Sequence, residues 1–300
     1  MIPLAFGCVY IFWGSSYTAI RYAVHFIEPM YVSGVRYAIG ATMMMLLLLV
    51  RGTSLRITRR EALRVTVIGL LLLTCNNGLL GIGEQYISSG MASLIMAGIP
   101  ILIAILETLI PGGEPLNRIG WTGTVLGAAG LALLLWPSLH LPAGSDGGFA
   151  LGCGILLIAM VSWAVGSIVS RRWTTRTDPL VVSAWQMLVG GIANCTIGTA
   201  MGGLHHSHWT TSVFLSILYL ATFGSLIGYT AYTYLLHHVP VAKVATYAYV
   251  NPIVAVGLGA VLLGERLRQL EVVGMAIILA AVAMVTASKS AVQKDLTTES

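Results

Sequence analysis

The sequence predicts an all-α membrane protein: ten transmembrane helices in two inverted five-helix repeats around a central cavity. Three observations predict it. Of the 300 residues 57% are hydrophobic and only 9% charged, with a mean hydropathy of +0.86, whereas a soluble domain is about 25% charged. No soluble fold of this size covers so much apolar surface. The chain also divides into ten apolar runs near the ~20 residues that a helix needs to cross a ~30 Å hydrocarbon core. Finally, its two halves carry the same residues at one constant spacing.

In order, the runs lie at 3–24, 30–51, 64–83, 91–109, 120–136, 148–170, 180–201, 212–236, 243–263 and 271–288. The first begins at once with "MIPLAFGCVYIFWGSSY". It lacks a charged n-region and a cleavage site, so it reads as a retained helix rather than a signal peptide. The loops are too short for an extramembrane domain, and the polar end "KSAVQKDLTTES" (289–300) reads as a disordered tail. Residues 1–143 then form the first repeat and 144–288 the second.

Charge sets the orientation. With ten spans both termini share a side. Placing them in the cytoplasm puts twelve of the sixteen basic residues inside, led by Arg51, Arg56, Arg59, Arg60 and Arg64, and leaves Arg266 and Arg268 outside. That is the positive-inside bias. It accounts for the net charge of +5 and the pI of 9.1 without a nucleic-acid partner. The four cysteines (Cys8, Cys75, Cys153, Cys195) all fall in apolar runs, form no CxxC, and read as small buried hydrophobes.

The repeat is read from pairs. Trp13 matches Trp163, Arg21 matches Arg171, Pro29 matches Pro179, Ser33 matches Ser183, Gly40 matches Gly190 and Gly78 matches Gly228, each 150 positions on. Pro100 matches Pro252 at 152, and "GGEPL" (112–116) resembles "LGERL" (263–267). Five helices per repeat is an odd number, so the second copy is inverted, as in many secondary transporters. Pro252 cannot bond the carbonyl of Ala248, nor Pro100 that of Met96, and the Asn251-Pro252 pair is expected to interrupt its helix. Freed backbone at membrane depth is tolerated where protein or cavity water satisfies it. The prolines therefore mark either a midplane site or kinks that serve packing.

"IFWGSSYTAIRYAV", "EQYISSGMASLIMAGIPILIAI", "SWAVGSIVSRR" and "TYAYVNPIVAVGLGAVLLGERL" resemble the EamA family of the drug/metabolite transporter superfamily, nearest its bacterial amino-acid and drug exporters. The resemblance covers about residues 5–288. It implies a ten-helix basket in the inner membrane, with a cavity lined by spans 1, 3, 4, 6, 8 and 9. Export of amino acids, metabolites or cationic toxicants would follow.

Polar and aromatic residues at membrane depth supply the candidate site. Trp13, Ser16 and Tyr17 in span 1 are substrate-binding candidates, while Gly14 and Ser15 read as packing. Trp163 is the counterpart of Trp13, so two indoles are placed to face each other and to stack an aromatic substrate or hold a cation. Buried amides need partners, so Asn77 or Asn76 is expected to face the cavity. Pro100, Tyr229, Tyr247, Asn251 and Pro252 complete the set. Tyr247 and Tyr249 lie on nearly opposite helix faces, so at most one is expected to point inward. Glu84, Arg36 and Glu107 are coupling or gating candidates, since an ionisable residue inside a membrane is functional by default. The competing reading has both glutamates snorkelling to an interface and Arg36 paired with Glu28 or Glu84; the remaining alternative has Arg36 meeting a substrate carboxylate. Glu265 reads as a cap or a partner of Arg266 or Arg268. "GTVLG" (123–127) with Ala276 and Ala280 marks spans 5 and 10 as scaffold.

His205, His206 and His208 lie close in "GLHHSHW" without supporting Cys or carboxylate. No metal and no cofactor are expected. There is no HExxH, GxSxG or Walker motif, so an integral membrane enzyme and a self-contained ATP-driven pump are disfavoured. A channel or scramblase on the same fold is the remaining alternative. The expected partners are a small molecule and the bilayer, and a monomer suffices. The aromatic lining fits aromatic amino acids and flat cations alike.

Overall fold

The computed structural model describes residues 1–111, 116–140, 147–173, 175, 177–239, 244, 247–266 and 269–298. Side chains are described for these except at 134–140, 147, 206, 233, 236, 237, 249, 270, 271 and 289–298. The expectations for Tyr249, His206 and Arg268 lie outside that set. Among the described residues the backbone is helical or in turns, with no strand.

The helices follow the apolar runs in order: α1 Ile2–Ala23, α2 Pro29–Val50, α3 Arg59–Gly83, α4 Ser89–Leu109, α5 Arg118–His140, α6 Gly147–Arg172, α7 Pro179–Ala200, α8 from Thr211 to His238, α9 Tyr247–Leu263 and α10 Gln269–Thr298. Six of these (α2, α3, α4, α6, α7 and α8) are long and apolar enough to cross a membrane by length and composition, with shorter apolar stretches in α9 and α10. Helix α1 has the length but carries Ser15, Ser16, Thr18 and Arg21 in its second half. Those polar residues are turned inward, where three of them are buried.

Local chemistry sets the ends. Glu28 caps α2, accepting the Tyr31 N–H at 2.9 Å, with Pro29 at the first helical position. Asp178 and Pro179 do the same for α7, where the Leu180 N–H donates at 2.8 Å. Just beyond each of these helices the chain turns at Gly52 (φ +73°) and Gly202 (φ +79°), a conformation that favours glycine. A Thr58–Glu61 capping box opens α3. The middles of α3 and α8 then loosen into π-helical segments, Leu70–Asn76 and Leu220–Ile227. The acidic caps, the glycine turns and the π segments recur 150 positions on, whereas the capping box does not: α8 is capped by Thr210 alone.

Packing follows the same rule. Helix α1 packs on α8 and α9, and its counterpart α6 packs on α3 and α4. The two most extensive contacts, α5 with α10 and α2 with α7, each join counterparts. Small residues set these seams. A Cβ at Gly34 of α2 would lie 2.6 Å from the Cys195 sulfur and 2.7 Å from its backbone nitrogen on α7. The "GTVLG" face works likewise: Gly123 meets the Ala281 carbonyl, and Gly127 meets Ala281 and Ile101.

Several expectations need correction. Ala276 and Ala280 are exposed, and the seam with α5 is made by the neighbouring turn positions Ala281, Val285 and Ser288. Helix α4 does break before Pro100, at Ala97-Gly98, and restarts at Ile99–Leu109 with the proline in its first turn. The Asn251-Pro252 pair does not interrupt α9. Pro252 sits within the helix Tyr247–Leu263, which continues past it although the bond to the Ala248 carbonyl is lost. Cys75 is exposed on the outer surface rather than buried. The backbone of α10 is helical to Thr298.

Candidate functional site

A cavity lies between the two halves, with about 840 Å³ of atom-free space once its open mouth is included. The π-helical segments help to build it. An extra residue in the turn re-aims side chains, and such segments frequently sit at functional sites. The first delivers Asn76 and Asn77 to the wall, the second Gly224 and Ser225.

An aromatic cluster forms one wall. The Trp13 and Trp163 rings stand 6.4 Å apart, edge to face. Trp13 also meets Tyr247 at 5.2 Å and Tyr232 at 5.0 Å. Its indole N–H donates to the Gly224 carbonyl at 3.1 Å. That approach requires glycine at 228, where a Cβ would lie 2.7 Å from the indole nitrogen. Tyr229 donates its hydroxyl to Gln186 at 3.1 Å.

The amides are ordered by backbone. Asn76 donates to the Ala159 carbonyl on α6 at 2.8 Å, and Asn77 donates to Leu72 O at 2.9 Å and to Asn76 Oδ1 at 3.1 Å. The Leu72 carbonyl belongs to the π segment itself. Asn251 is 5% exposed, and its Oδ1 finds no donor among the described residues.

The structure brings together Trp13, Ser16, Tyr17, Asn77, Trp163, Tyr229, Tyr247, Asn251, Pro252 and Arg36 around this cavity. Pro100 does not line it. Its neighbour Ile99 does, because the restart of α4 turns Pro100 outward from the cavity. Tyr37, Ser93, Met96, Met187 and Ser225 also line it and were not read from sequence. Ser225 had no usable signal, because it lies in a π-helical segment that departs from the ordinary four-residue register. Tyr37 had none either, since it looks like any apolar neighbour of Arg36.

The charged candidates part company. Arg36 is buried and lines the cavity, and its Nε–H donates to Ser225 Oγ at 2.9 Å. It makes no contact ion pair among the described residues: Glu28 is engaged in capping α2, and Glu84 acts on Arg36 only from beyond ion-pair distance. Glu84 does not snorkel. It is fully buried off the cavity, with neither carboxyl oxygen hydrogen-bonded among the described residues. An ionised carboxylate there would be costly, which is the reason to expect a neutral side chain. Glu107 is 6% exposed and is held by Arg171 at 2.6 Å.

The two ends of α4 are thus clamped by arginines and glutamates from both halves. At the Ser89 end, Glu265 accepts from Ser89 N (3.0 Å), Ser89 Oγ (2.7 Å) and Gly90 N (3.4 Å), and lies 3.9 Å from Arg21. Arg21 also donates to the Glu84 carbonyl. At the far end stands Glu107 with Arg171, the repeat counterpart of Arg21. Glu265 is therefore a cap, as read, but of α4 rather than its own helix, and its cationic neighbour is Arg21.

Comparison with known proteins agrees with this architecture. A solved crystal structure superposes with a TM-score of 0.69 at 20% identity, over 95% of this chain and 97% of the other, which is a likeness of fold. "Uncharacterized inner membrane transporter YedA" of Escherichia coli K12 is 35% identical over 292 residues, 96% of this chain and 92% of that protein. "Uncharacterized transporter YvbV" of Bacillus subtilis is 26% identical over 95% of this chain and 90% of its own length. The model of the EamA-like transporter family matches twice, at residues 2–136 and 150–287, one match to each half. The chain belongs to the EamA-like transporter family, and its role is membrane transport.

Proposed function

We propose that the protein is a secondary transporter that exports amino acids or related small metabolites from the cytoplasm by alternating access. The observation that carries this reading is the cavity itself: matched indoles from α1 and α6 meet across the two halves at one polar and aromatic chamber. The halves act as inverted five-helix repeats that rock against each other about that chamber. The exchangeable packing of counterpart helices supports such a pair of bodies. The clamps at the two ends of α4 are the contacts that rocking makes and breaks. The arginines that cluster about the loops after α2 and α6 support cytoplasmic termini.

Counterflow of radiolabelled amino acids in proteoliposomes tests the reading, with Trp163→Ala beside wild type. Wild type is expected to show saturable exchange. The variant is expected to lose it about tenfold or more, as removing an aromatic contact worth ~0.5–1.5 kcal/mol together with its buried surface implies. Exchange indifferent to Trp163 would place the path elsewhere. A linear, non-saturable flux would mark a channel.

A further inference from the structure

We infer that Arg36 is the anion anchor of the cavity and that the transported molecule carries a carboxylate. This deepens the transport reading and rests on it. Arg36 is the one residue of formal charge among the described residues that line the chamber, which include no Asp, Glu, Lys or His. It is 6% exposed. A guanidinium buried to that degree requires a counter-charge or a full set of acceptors. Its Nε–H is held by Ser225 Oγ at 2.9 Å, and its carbon lies 4.9 Å from the Tyr37 ring centre. These contacts fix the plane of the fork and supply no negative charge, and the buried Glu84 faces Arg36 only from beyond ion-pair distance. A carboxylate entering the cavity supplies it, in the bidentate geometry that arginine favours over lysine.

The same chamber offers the complement. Asn251 Oδ1 is a buried acceptor without a donor, suited to an ammonium or another N–H of the same molecule. Trp13, Trp163 and Tyr247 form the wall for an apolar or aromatic body. The ligand so described is a small carboxylic acid, optimally one that also carries a hydrogen-bond donor. Purely cationic molecules are disfavoured, because they would meet the arginine with no lining carboxylate to offset it.

The test is calorimetric binding to the purified full chain in detergent, with three probes that share a phenyl ring: L-phenylalanine, 3-phenylpropionate and 2-phenylethylamine. The standard amino acids serve as competitors. The carboxylates are expected to bind and the amine not. Arg36→Gln, which installs the residue that the second half carries at the matching position (Gln186), is expected to weaken the carboxylates about 10- to 100-fold, as for a lost charge-assisted bond. Ser225→Ala leaves the charge and frees the fork, with an expected loss of about 3- to 10-fold; it carries the test should Arg36→Gln fail to fold. Binding of the amine as tightly as the acids, unchanged carboxylate affinity in the variants, or no binding of any carboxylate overturns the assignment. Carboxylate binding through Arg36 without flux in proteoliposomes would sink the transport reading and leave the anion site. Flux of a cation without carboxylate binding would do the reverse.

Discussion

Glu265→Ala is expected to lower the stability of the purified protein by about 2–4 kcal/mol and to abolish saturable exchange. The carboxylate takes three hydrogen bonds from the first turn of α4, at Ser89 N, Ser89 Oγ and Gly90 N. Charge-assisted bonds of this type contribute roughly 1.5–3 kcal/mol, and a negative charge at a helix N-terminus adds up to ~2 kcal/mol when partly buried. The side chain is only 16% exposed, so water recovers little of that loss. The consequence reaches function because Glu265 follows α9, in the second half, while α4 belongs to the first. Removing it unlatches one end of the cavity and leaves Arg21 beside the buried Glu84 alone. Thermal unfolding and counterflow on the same preparation check both parts. A variant that melts like wild type would show that the α4 end is held by other contacts.

Gly34→Val is expected to damage folding to a similar degree. A Cβ at this position would sit 2.7 Å from the Cys195 backbone nitrogen, and backbone cannot rotate away as a side-chain tip can. The Gly191 side of the same seam is equally tight, with a Cβ there 2.8 Å from Ala38 N. Helices α2 and α7 must therefore separate, and their long contact is the main tie between the two halves on that side. Overpacking costs of about 1–3 kcal/mol, occasionally more, apply to single sites. Here the displacement spreads along two helices, so about 3 kcal/mol and a marked loss of monodisperse protein in size-exclusion chromatography are expected. A variant that elutes and melts unchanged would mean that the seam is looser than the glycine contacts imply.

Much of this architecture is legible in the sequence because a duplication leaves a constant offset. Trp13 and Trp163 are paired by spacing alone, and they do meet. Polar residues in apolar helices are equally legible: Ser16, Asn77 and Asn251 cannot comfortably face hydrocarbon, and all three line the cavity. What stays hidden is what depends on helix rotation and on long-range partners. The π-helical turns have no local signature, yet they bring Gly224 and Ser225 to the wall. The expected partner of Arg36 was a carboxylate of this chain because sequence shows that carboxylates exist, not where they point. Glu28 is committed to its own helix cap and Glu84 faces a dry interior. Pro252 shows the limit from the other side: its residue type predicts a broken helix, but the helix runs on through it from Tyr247 to Leu263.

The claim on which all this depends is that the chamber opens alternately to the two sides. Cysteine accessibility tests it most directly, using Ser16→Cys in a chain whose four native cysteines are replaced by alanine. Ser16 is buried at the chamber wall. A membrane-impermeant thiol reagent would be applied to right-side-out and to inside-out vesicles, with and without saturating substrate. The account predicts labelling from both sides, with substrate slowing each. Labelling from one side only, unaffected by substrate, would make the chamber a dead-end pocket and contradict it.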